Sequence, residues 1–465
     1  MDAVTTAFAG AAKQAQMLAS GKITSPELIE LYLDRIARLD GFLNAFRVVR
    51  SKHALAEATE AQRRLDAGER LALLGVPIAI KDDVDVAGEE TAWGSAAHGP
   101  AKTRDAAVVQ RLRAAGAIVI GKTNVPELTI WPFTESATFG ATSNPWDVKR
   151  SPGGSSGGTA AAVAAGLVPF GLGSDGGGSI RTPATWCGLY GFKPQRGRVP
   201  LSPHDDGWQG LLVNGPITRT VEDAALFLDV TSPTPPTDGG FVAAALRTPS
   251  RLRIAFSAKS PLGLGARVGT AQEAAVHEAA ELLRSLGHDV VERAPDYAAT
   301  SAGWNVMARY LRGIADDVAT LPHPDRLEAR TRSMARAGRR ISDRQIARVR
   351  ANETALAVRV NSIFDDVDVV ITPGTATGPP RVGAFTNRGA IITAIATMGR
   401  SPFQAVFNAT GQPAAVVPWG LDRTGIPISI QLVVRPSDET TLLALSTQIE
   451  TARPWADRRP PISTS

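Results

Sequence analysis

The sequence predicts an α/β protein built on a large mixed, mostly parallel twisted sheet that is covered by helices on both faces. Short apolar runs bounded by glycine or proline predict buried strands at residues 75–80, 117–120 and 167–170. A helical pattern over 107–115 separates the first two runs, and the order strand, helix, strand favours parallel pairing. With 465 residues, 43% of them hydrophobic, the chain is long enough to bury a large core.

Further elements are predicted along the chain in order. Near the amino terminus, Ser25 offers an N-cap, Pro26 suits the first helical position, and an apolar helical pattern runs to Gly41. Residues 231–240 are typical of a linker. Later strands are predicted over residues 252–256, 367–373, 414–419 and 426–434.

We expect residues 1–465 to form a single domain. Its parts are a core over about residues 72–230, a helical insert over about 260–362, a return to the sheet over about 363–450, and a frayed tail over 453–465.

Composition argues against several classes of protein. The single cysteine, Cys187, excludes an internal disulfide framework, and six scattered histidines give no pattern that would hold a metal, so none is expected. The balance of 50 basic and 45 acidic residues predicts solubility rather than nucleic-acid binding. The most apolar stretch, 159–172, is too short to span a bilayer, and residues 1–12 lack a secretory pattern, so we expect a cytoplasmic protein without a membrane partner.

Residues 116–123, GAIVIGKT, match the P-loop pattern letter for letter, which makes a nucleotide-binding protein one alternative. A phosphate cradle needs a flexible loop between its glycines, but four consecutive apolar residues stand there. We therefore interpret this segment as a buried strand.

Two other glycine patterns are also weak. Residues 171–176 fit GxGxxG, but the glycines that follow cannot begin a helix cleanly. Residues 153–157 fit the GxSxG of a nucleophile elbow, but residues 144–152 before them are rich in turn formers rather than a strand. Neither pattern has the structural context that its function requires.

What remains is a region rich in serine and glycine, from Ser151 to Ser179, and a lysine, Lys81, at the end of an apolar run. Serine is a weak nucleophile until a base removes its proton, and a neutral lysine can serve as that base. Lowering the pKa of an ammonium group from about 10.4 to about 7.5 requires roughly 4 kcal/mol, part of which burial would supply. Strand alternation places Asp83 on the face of Lys81, so we expect Asp83 to turn away from the amine.

These residues resemble the amidase signature family of amide hydrolases. The resemblance covers nearly the whole chain and includes separate motifs in the family's order. They are GVPIAIKD at 75–82, GKTN at 121–124, SPGGSSGG at 151–158, GSDGGGSIR at 173–181, CGLYGFKP at 187–194 and TVEDAA at 220–225, with weaker matches at 372–373, 408–414 and 425–432.

The resemblance implies the amidase signature fold and a Ser-Ser-Lys triad. Ser179 would be the nucleophile, Ser155, preceded by a cis peptide, would relay the proton, and Lys81 would be the base. Further roles implied are an oxyanion hole of backbone N–H groups at Gly176, Gly177, Gly178 and Ser179, and support from Ser156, Asp175 and Arg181. Gly176 departs from the threonine or isoleucine that is usual in the family.

The implied reaction is hydrolysis of a linear carboxylic C–N amide bond to an acid plus ammonia or an amine, through an acyl-enzyme on Ser179, without a cofactor. The expected partner is a small-molecule amide, with a homodimer left open. Two alternatives remain besides nucleotide binding. One is the glutaminase subunit of a tRNA-dependent amidotransferase, which would need a second subunit, and the other is a catalytically silent binding module.

Overall fold

A large mixed sheet runs through the centre of the molecule, whose computed structural model describes residues 2–204, 206–261 and 267–464. The strands are β1 Phe46–Val49, β2 Pro77–Lys81, β3 Ile118–Thr123, β4 Glu135–Ser136, β5 Gly140–Ala141, β6 Phe170–Asp175, β7 Tyr190–Lys193, β8 Val213–Thr218, β9 Arg253–Phe256, β10 Asp289–Glu292, β11 Val369–Pro373, β12 Ala414–Leu421 and β13 Pro427–Val434. In space they follow the order β1-β3-β2-β6-β8-β7-β12-β13-β11-β9-β10, and β4 and β5 pair separately.

Parallel and antiparallel pairings divide this sheet into zones. Strands β3, β2 and β6 are parallel, and so are β11, β9 and β10. From β6 to β11 each neighbouring pair is antiparallel, as is the edge pair of β1 with β3. The short connection between β12 and β13 permits only antiparallel pairing. The mixed sheet is confirmed, with its parallel pairing in the two flanks and antiparallel pairing in the centre.

Helices cover the sheet on both faces, as predicted. Strands β2, β3, β6, β8, β11 and β13 are buried along their whole length, which requires a layer on each side. The helices are α1 Ala3–Ala7, α2 Ala11–Ala19, α3 Ser25–Leu43, α4 Ser51–Asp66, α5 Ala107–Ala114, α6 Gly157–Ala164, α7 Arg181–Cys187, α8 Gly207–Gly210, α9 Val221–Thr231, α10 Gly240–Ala245, α11 Thr270–Ser285, α12 Ala299–Thr320, α13 Ala329–Gly338, α14 Asp343–Ala351, α15 Glu353–Asn361, α16 Ala390–Met398, α17 Val406–Ala409 and α18 Glu439–Ala452. Among the described residues, no helix is both long enough and apolar enough to cross a bilayer.

Two large hydrophobic cores and one small cluster, Ala308 with Ile341, Ile346 and Val349, hold the described layers together. The larger core joins the sheet to α3, α6, α9, α11 and α18. The smaller core lies under α12 and α13, around the aromatic side chains of Trp131 and Trp208. Trp208 of the smaller core lies against Gly176, the residue that follows β6, so this core lies beside the carboxyl end of that strand.

The boundaries of several elements differ from the sequence prediction. Thr24, not Ser25, is the N-cap of α3, because Thr24 and Glu27 form a reciprocal capping box. The helix continues past Gly41 to Leu43 and ends at Asn44 in the left-handed conformation. The strand predicted at 167–170 begins only at Phe170.

Two outer segments contain more structure than their composition indicates. The predicted helical insert over 260–362 also supplies the edge strand β10. The tail from 453 is packed rather than frayed: Trp455 is 2% exposed, and its indole N–H donates to the carbonyl of Arg219 at 2.8 Å. A buried indole with a satisfied donor anchors the carboxyl-terminal segment that composition alone marks as loose.

Candidate active site

The carboxyl ends of β2 and β6 bring the base candidate and its neighbours together. These strands are parallel neighbours, so their carboxyl ends lie at the same edge of the sheet. Strand β2 ends at Lys81, and β6 ends at Ser174 and Asp175. All three residues are buried. The local topology therefore places a lysine amine inside the protein beside polar groups of the next strand.

Lys81 has four polar contacts. Its Nζ lies 2.8 Å from the hydroxyl of Ser155 and 2.6 Å from the hydroxyl of Ser174. It also lies 3.4 Å from the Ser174 carbonyl oxygen and 3.1 Å from Oδ2 of Asp83. The Ser174 hydroxyl donates to the same Asp83 oxygen at 2.5 Å. The predicted contact between Lys81 and Ser155 is therefore present in the structure.

Opposing effects act on the protonation of Lys81. Burial lowers the pKa of its amine below the ordinary lysine value, and this is the largest influence. The carboxylates of Asp83 and Asp175 oppose it, because negative charge favours the ammonium form. The expectation that Asp83 turns away from Lys81 is wrong. Its carboxylate stays near the amine because it also accepts the hydrogen bond from Ser174.

Ser155 stands at the entrance to α6, after the predicted cis peptide between Gly154 and Ser155. The residue is 1% exposed. A Cβ on Gly154 would lie 2.5 Å from the carbonyl oxygen of Trp131 and 2.7 Å from the nitrogen of Phe133. Only glycine allows this close approach of two backbone segments, and the approach fixes the position of Ser155.

Ser156 joins the two serine-bearing loops. Its hydroxyl donates to the Ser174 carbonyl at 3.2 Å and accepts from the Ser174 N–H at 3.3 Å. Its own N–H donates to the Ser179 carbonyl at 3.1 Å. These bonds fit the supporting position expected for Ser156.

Ser179 lies in the loop between β6 and α7 and is half-buried. Its hydroxyl forms no hydrogen bond with Ser155 in the structure; the loops meet instead through the backbone bond from Ser156. The Gly178 N–H donates to Oδ1 of Asp175 at 2.6 Å, so it is not free for an oxyanion. In the described part of the chain, the N–H groups of Gly177 and Ser179 donate to no other group.

A buried ion pair braces this loop. Arg181 donates to both oxygens of Asp175 at 3.0 Å, and both side chains are fully buried. Arg181 also donates to the side-chain oxygens of Asn408 and Gln431. Although burial alone would raise it, the pKa of Asp175 is held far below its usual value by Arg181 and by hydrogen bonds. Arg181 and Asp175 are thus placed to support the loop that carries Ser179.

An apolar cavity of about 260 Å³ opens onto Ser179. Gly154, Gly177 and Gly178 also line it, and α12, α13, α16 and α17 contribute the opposite wall. The described residues that line it carry no charged side chain. Its larger side chains are Trp131, Trp208, Tyr297, Val306, Met307, Tyr310, Met334 and Val406.

Comparison with known proteins agrees with this architecture. The family model described as Amidase matches residues 27–443. The chain belongs to the amidase signature family. It is 64% identical to "Putative amidase AmiB2" of Mycobacterium tuberculosis (strain ATCC 25618 / H37Rv) over 463 residues, which covers 100% of each chain. Among solved structures, it resembles 6-aminohexanoate cyclic dimer hydrolase, with TM-score 0.90, 30% identity and 99% of each chain covered. It also resembles a bacterial aryl acylamidase of the amidase signature family, with TM-score 0.83, 27% identity and 96% of each chain covered.

Within this amidase signature enzyme, the P-loop-like segment is a strand. Residues 118–123 form β3, which is buried throughout. Lys122 is fully buried, and its amine lies 2.8 Å from Oδ1 of Asp82, so it is not available to a phosphate. Residues 171–175 of the GxGxxG pattern lie in β6. The nucleotide-binding alternative is therefore not favoured.

Several residues of the site were not assigned from the sequence. Ser174 bonds both Lys81 and Asp83, but in sequence it is one of many serines in a glycine-rich run. Gln404 and Asn408 reach the loop from α17 and the segment before it. In the sequence, only the weak family match at 408–414 indicates that this segment takes part in the site. Gln404 and Asn408 contact residues more than 200 positions away, and no local sequence pattern records such contacts.

Proposed function

We propose that this amide hydrolase cleaves its substrate through an acyl-enzyme on Ser179, with Ser155 and Lys81 carrying the proton. The observation that supports this most strongly is the 2.8 Å contact between the Lys81 amine and the Ser155 hydroxyl, both buried next to the loop of Ser179. A neutral amine in this position can accept a proton from Ser155, as the role of a base requires.

In the proposed reaction, the Ser179 oxygen attacks the amide carbon while its proton passes to Ser155 and the Ser155 proton passes to Lys81. The tetrahedral oxyanion receives hydrogen bonds from backbone N–H groups of the loop, for which Gly177 and Ser179 offer free donors. The C–N bond then breaks, and the leaving nitrogen takes the proton back through Ser155. Water cleaves the resulting ester by the same relay, releasing the acid and restoring Ser179.

This sequence requires a contact between Ser155 and Ser179 that the structure does not contain. A serine hydroxyl moves between staggered positions by rotation about one bond. Catalytic hydrogen bonds are often long in the absence of substrate and tighten in its complex. We therefore propose that substrate in the cavity brings the Ser179 hydroxyl onto Ser155.

The cavity indicates an amide with an apolar acyl or aryl group. It is lined by aromatic and aliphatic side chains, and its described lining has no charge to pair with an ionic substrate. Two structural relatives are a cyclic dimer hydrolase and an aryl acylamidase. Linear amides remain our proposed substrates, and a cyclic amide belongs in the same assay panel.

The kinetic test compares Ser179→Ala, Ser155→Ala and Lys81→Ala with the unaltered enzyme on linear alkyl, aryl and cyclic amides. Each variant should lose at least about 1,000-fold in kcat, as removal of members of a nucleophile and base pair does in other hydrolases. Ser285→Ala, which removes an exposed hydroxyl, is the matched control and should keep full activity. Unchanged turnover in any of the three site variants would contradict the proposed roles.

The glutaminase alternative is less well supported by this cavity. Free glutamine carries an ammonium and a carboxylate group, and a site for it needs partners for both charges. The described lining of the cavity offers none. Ammonia release from glutamine in the presence of a copurified second subunit would support this alternative.

A homodimer and a cytoplasmic location stay predictions.

A further inference from the structure

A second cavity, of about 270 Å³, adjoins the substrate cavity and shares Trp208 and Thr129 with it. Among the residues that the structure describes, its lining includes four carboxylates, Asp83, Asp206, Asp316 and Asp317, and we call it the acidic cavity. It reaches the catalytic region directly, because Asp83 contacts the Lys81 amine at 3.1 Å.

Three of the four carboxylates have a basic partner, and the partner of Asp83 is Lys81. Asp206 pairs with Arg350 at 2.5 Å, and Asp316 pairs with Arg312 at 2.7 Å. Asp317 accepts a hydrogen bond from the Trp208 indole at 2.8 Å, but within the described residues it has no cationic partner. Burial, with Asp316 and Asp83 nearby, raises the pKa of Asp317 to about 7. Asp317 is therefore the carboxyl group of this lining whose negative charge the protein does not stabilise, and a cation bound beside it would supply the missing partner.

Asp83 supplies a second, independent indication of a ligand. Its side chain is 9% exposed, and Oδ2 is used by Lys81 and Ser174. The other oxygen, Oδ1, is buried without a hydrogen-bond partner in the described part of the chain. A buried carboxylate oxygen that has no hydrogen-bond donor destabilises the fold. A donor bound in the cavity would remove that cost.

The backbone around the acidic cavity is unusually constrained. Five non-glycine residues that line it have a left-handed φ: Trp93 at 48°, Leu128 at 47°, Thr129 at 58°, Trp208 at 52° and Gln209 at 55°. Such conformations are strained in residues other than glycine, and they cluster at functional sites. The rings of Trp208 and Trp93 both belong to the lining: the Trp208 indole N–H donates to Asp317, and the ring of Trp93 lies 5.8 Å from that of His204.

We propose that the acidic cavity binds a protonated primary amine. Carboxylates hold an ammonium group through charge-assisted hydrogen bonds, and indole rings attract cations at their faces. The described side chains do not form a three-ligand group of the kind that holds a metal ion, so an organic cation fits better. The volume accommodates an ammonium group with a short carbon chain. The proposal rests on the proposed function, because an amine is either the released product or the free end of an amino-bearing amide.

The test is calorimetric titration with n-butylammonium chloride, with n-butanol as the neutral ligand of similar size. We expect butylammonium to bind with one site per chain and butanol to bind at least about tenfold more weakly, because the charged group carries the interaction. Equal affinity for the two compounds, or no binding of butylammonium, would overturn the proposal. Repeating the titration on Ser179→Ala separates this result from the proposed function, since binding requires no turnover.

Asp317→Asn identifies the site. Asparagine keeps an acceptor for the Trp208 indole but removes the charge, so butylammonium should bind about tenfold more weakly. Asp289→Asn, the same change on the exposed edge strand β10, should leave the affinity unchanged. An unchanged affinity in Asp317→Asn, with its thermal unfolding intact, would contradict the placement of the site.

Steady-state kinetics distinguish the source of the amine. If the released amine is the ligand, butylammonium should inhibit turnover of a neutral amide, and the inhibition should weaken in Asp317→Asn. If the substrate supplies the amine, an aminobutyl amide should have a lower KM than the matching butyl amide, and this difference should disappear in the variant. Either pattern supports the proposal, and the absence of both would contradict it.

Discussion

The amine of Lys81 lies 3.1 Å from the carboxylate of Asp83, although both side chains are buried. A carboxylate this close favours the ammonium form of lysine, whereas the proposed base must be neutral. Burial outweighs it in the structure, so the pKa of Lys81 stays below its ordinary value. Asp83 therefore raises the pKa of Lys81 and reduces the fraction of the amine that is neutral.

Asp83→Asn should move the acidic limb of the pH profile to lower pH. Activity falls when Lys81 becomes protonated, and loss of the Asp83 charge lowers the pKa of that amine further. The measurement is kcat/KM against pH, with Asp66→Asn on the exposed end of α4 as the control. A limb that stays in place, or that moves to higher pH, would contradict the proposed role of Lys81 as the base.

Asp175→Asn should destabilise the fold by about 3–5 kcal/mol, because it leaves the buried guanidinium of Arg181 without its countercharge. Denaturant unfolding measures the loss, and Glu60→Gln, which breaks an exposed pair with Arg63, should cause none that is measurable. Since the pKa of Asp175 is lowered in the fold, its contribution should be present above pH about 4 and decline in more acidic solution. Equal stability of the two variants would argue against the bracing role.

Gly178→Ala should lower kcat by at least about 100-fold, the usual cost of disturbing an oxyanion loop. Gly178 has φ of +122°, and a Cβ there would overlap the side-chain oxygen of Gln404. Gly41→Ala in α3 is the control, because nothing lies within 4 Å of its added Cβ. Steady-state rates for the two variants decide the point, and similar rates would show that the loop tolerates displacement.

Glu450→Gln should flatten the dependence of stability on pH. Burial, with Asp223 and Glu222 nearby, raises the pKa of Glu450 to about 7. A carboxyl with a raised pKa stabilises the fold at low pH, and that contribution is lost as pH rises through about 7. The melting temperature of the unaltered enzyme should therefore fall between pH 5 and pH 8 by more than that of the variant. A parallel fall in both would rule out Glu450 as the source.

The sequence predicts those parts of the site that short motifs encode. Lys81 ends an apolar strand, and Ser155 lies in a glycine-rich run before a helix. Each segment is recognisable from its own residues, and the structure brings the two side chains into contact. The orientation of Asp83 was not predicted, because strand alternation indicates the face of the strand on which a side chain lies but not its hydrogen-bond partner, which here is Ser174. The antiparallel centre of the sheet and the acidic cavity depend on contacts between distant segments, such as Trp208 with Asp317, which no local pattern records.

The most direct test of the account is to trap the acyl-enzyme. The enzyme is mixed with an activated aryl amide, quenched in acid during the first turnovers, digested and analysed by peptide mass spectrometry. We predict that the added mass equals the acyl group and lies on Ser179, and that Lys81→Ala greatly slows its appearance. Acylation at Ser155 or Ser156 instead, or turnover with no acylated serine, would contradict the assignment of Ser179 as the nucleophile.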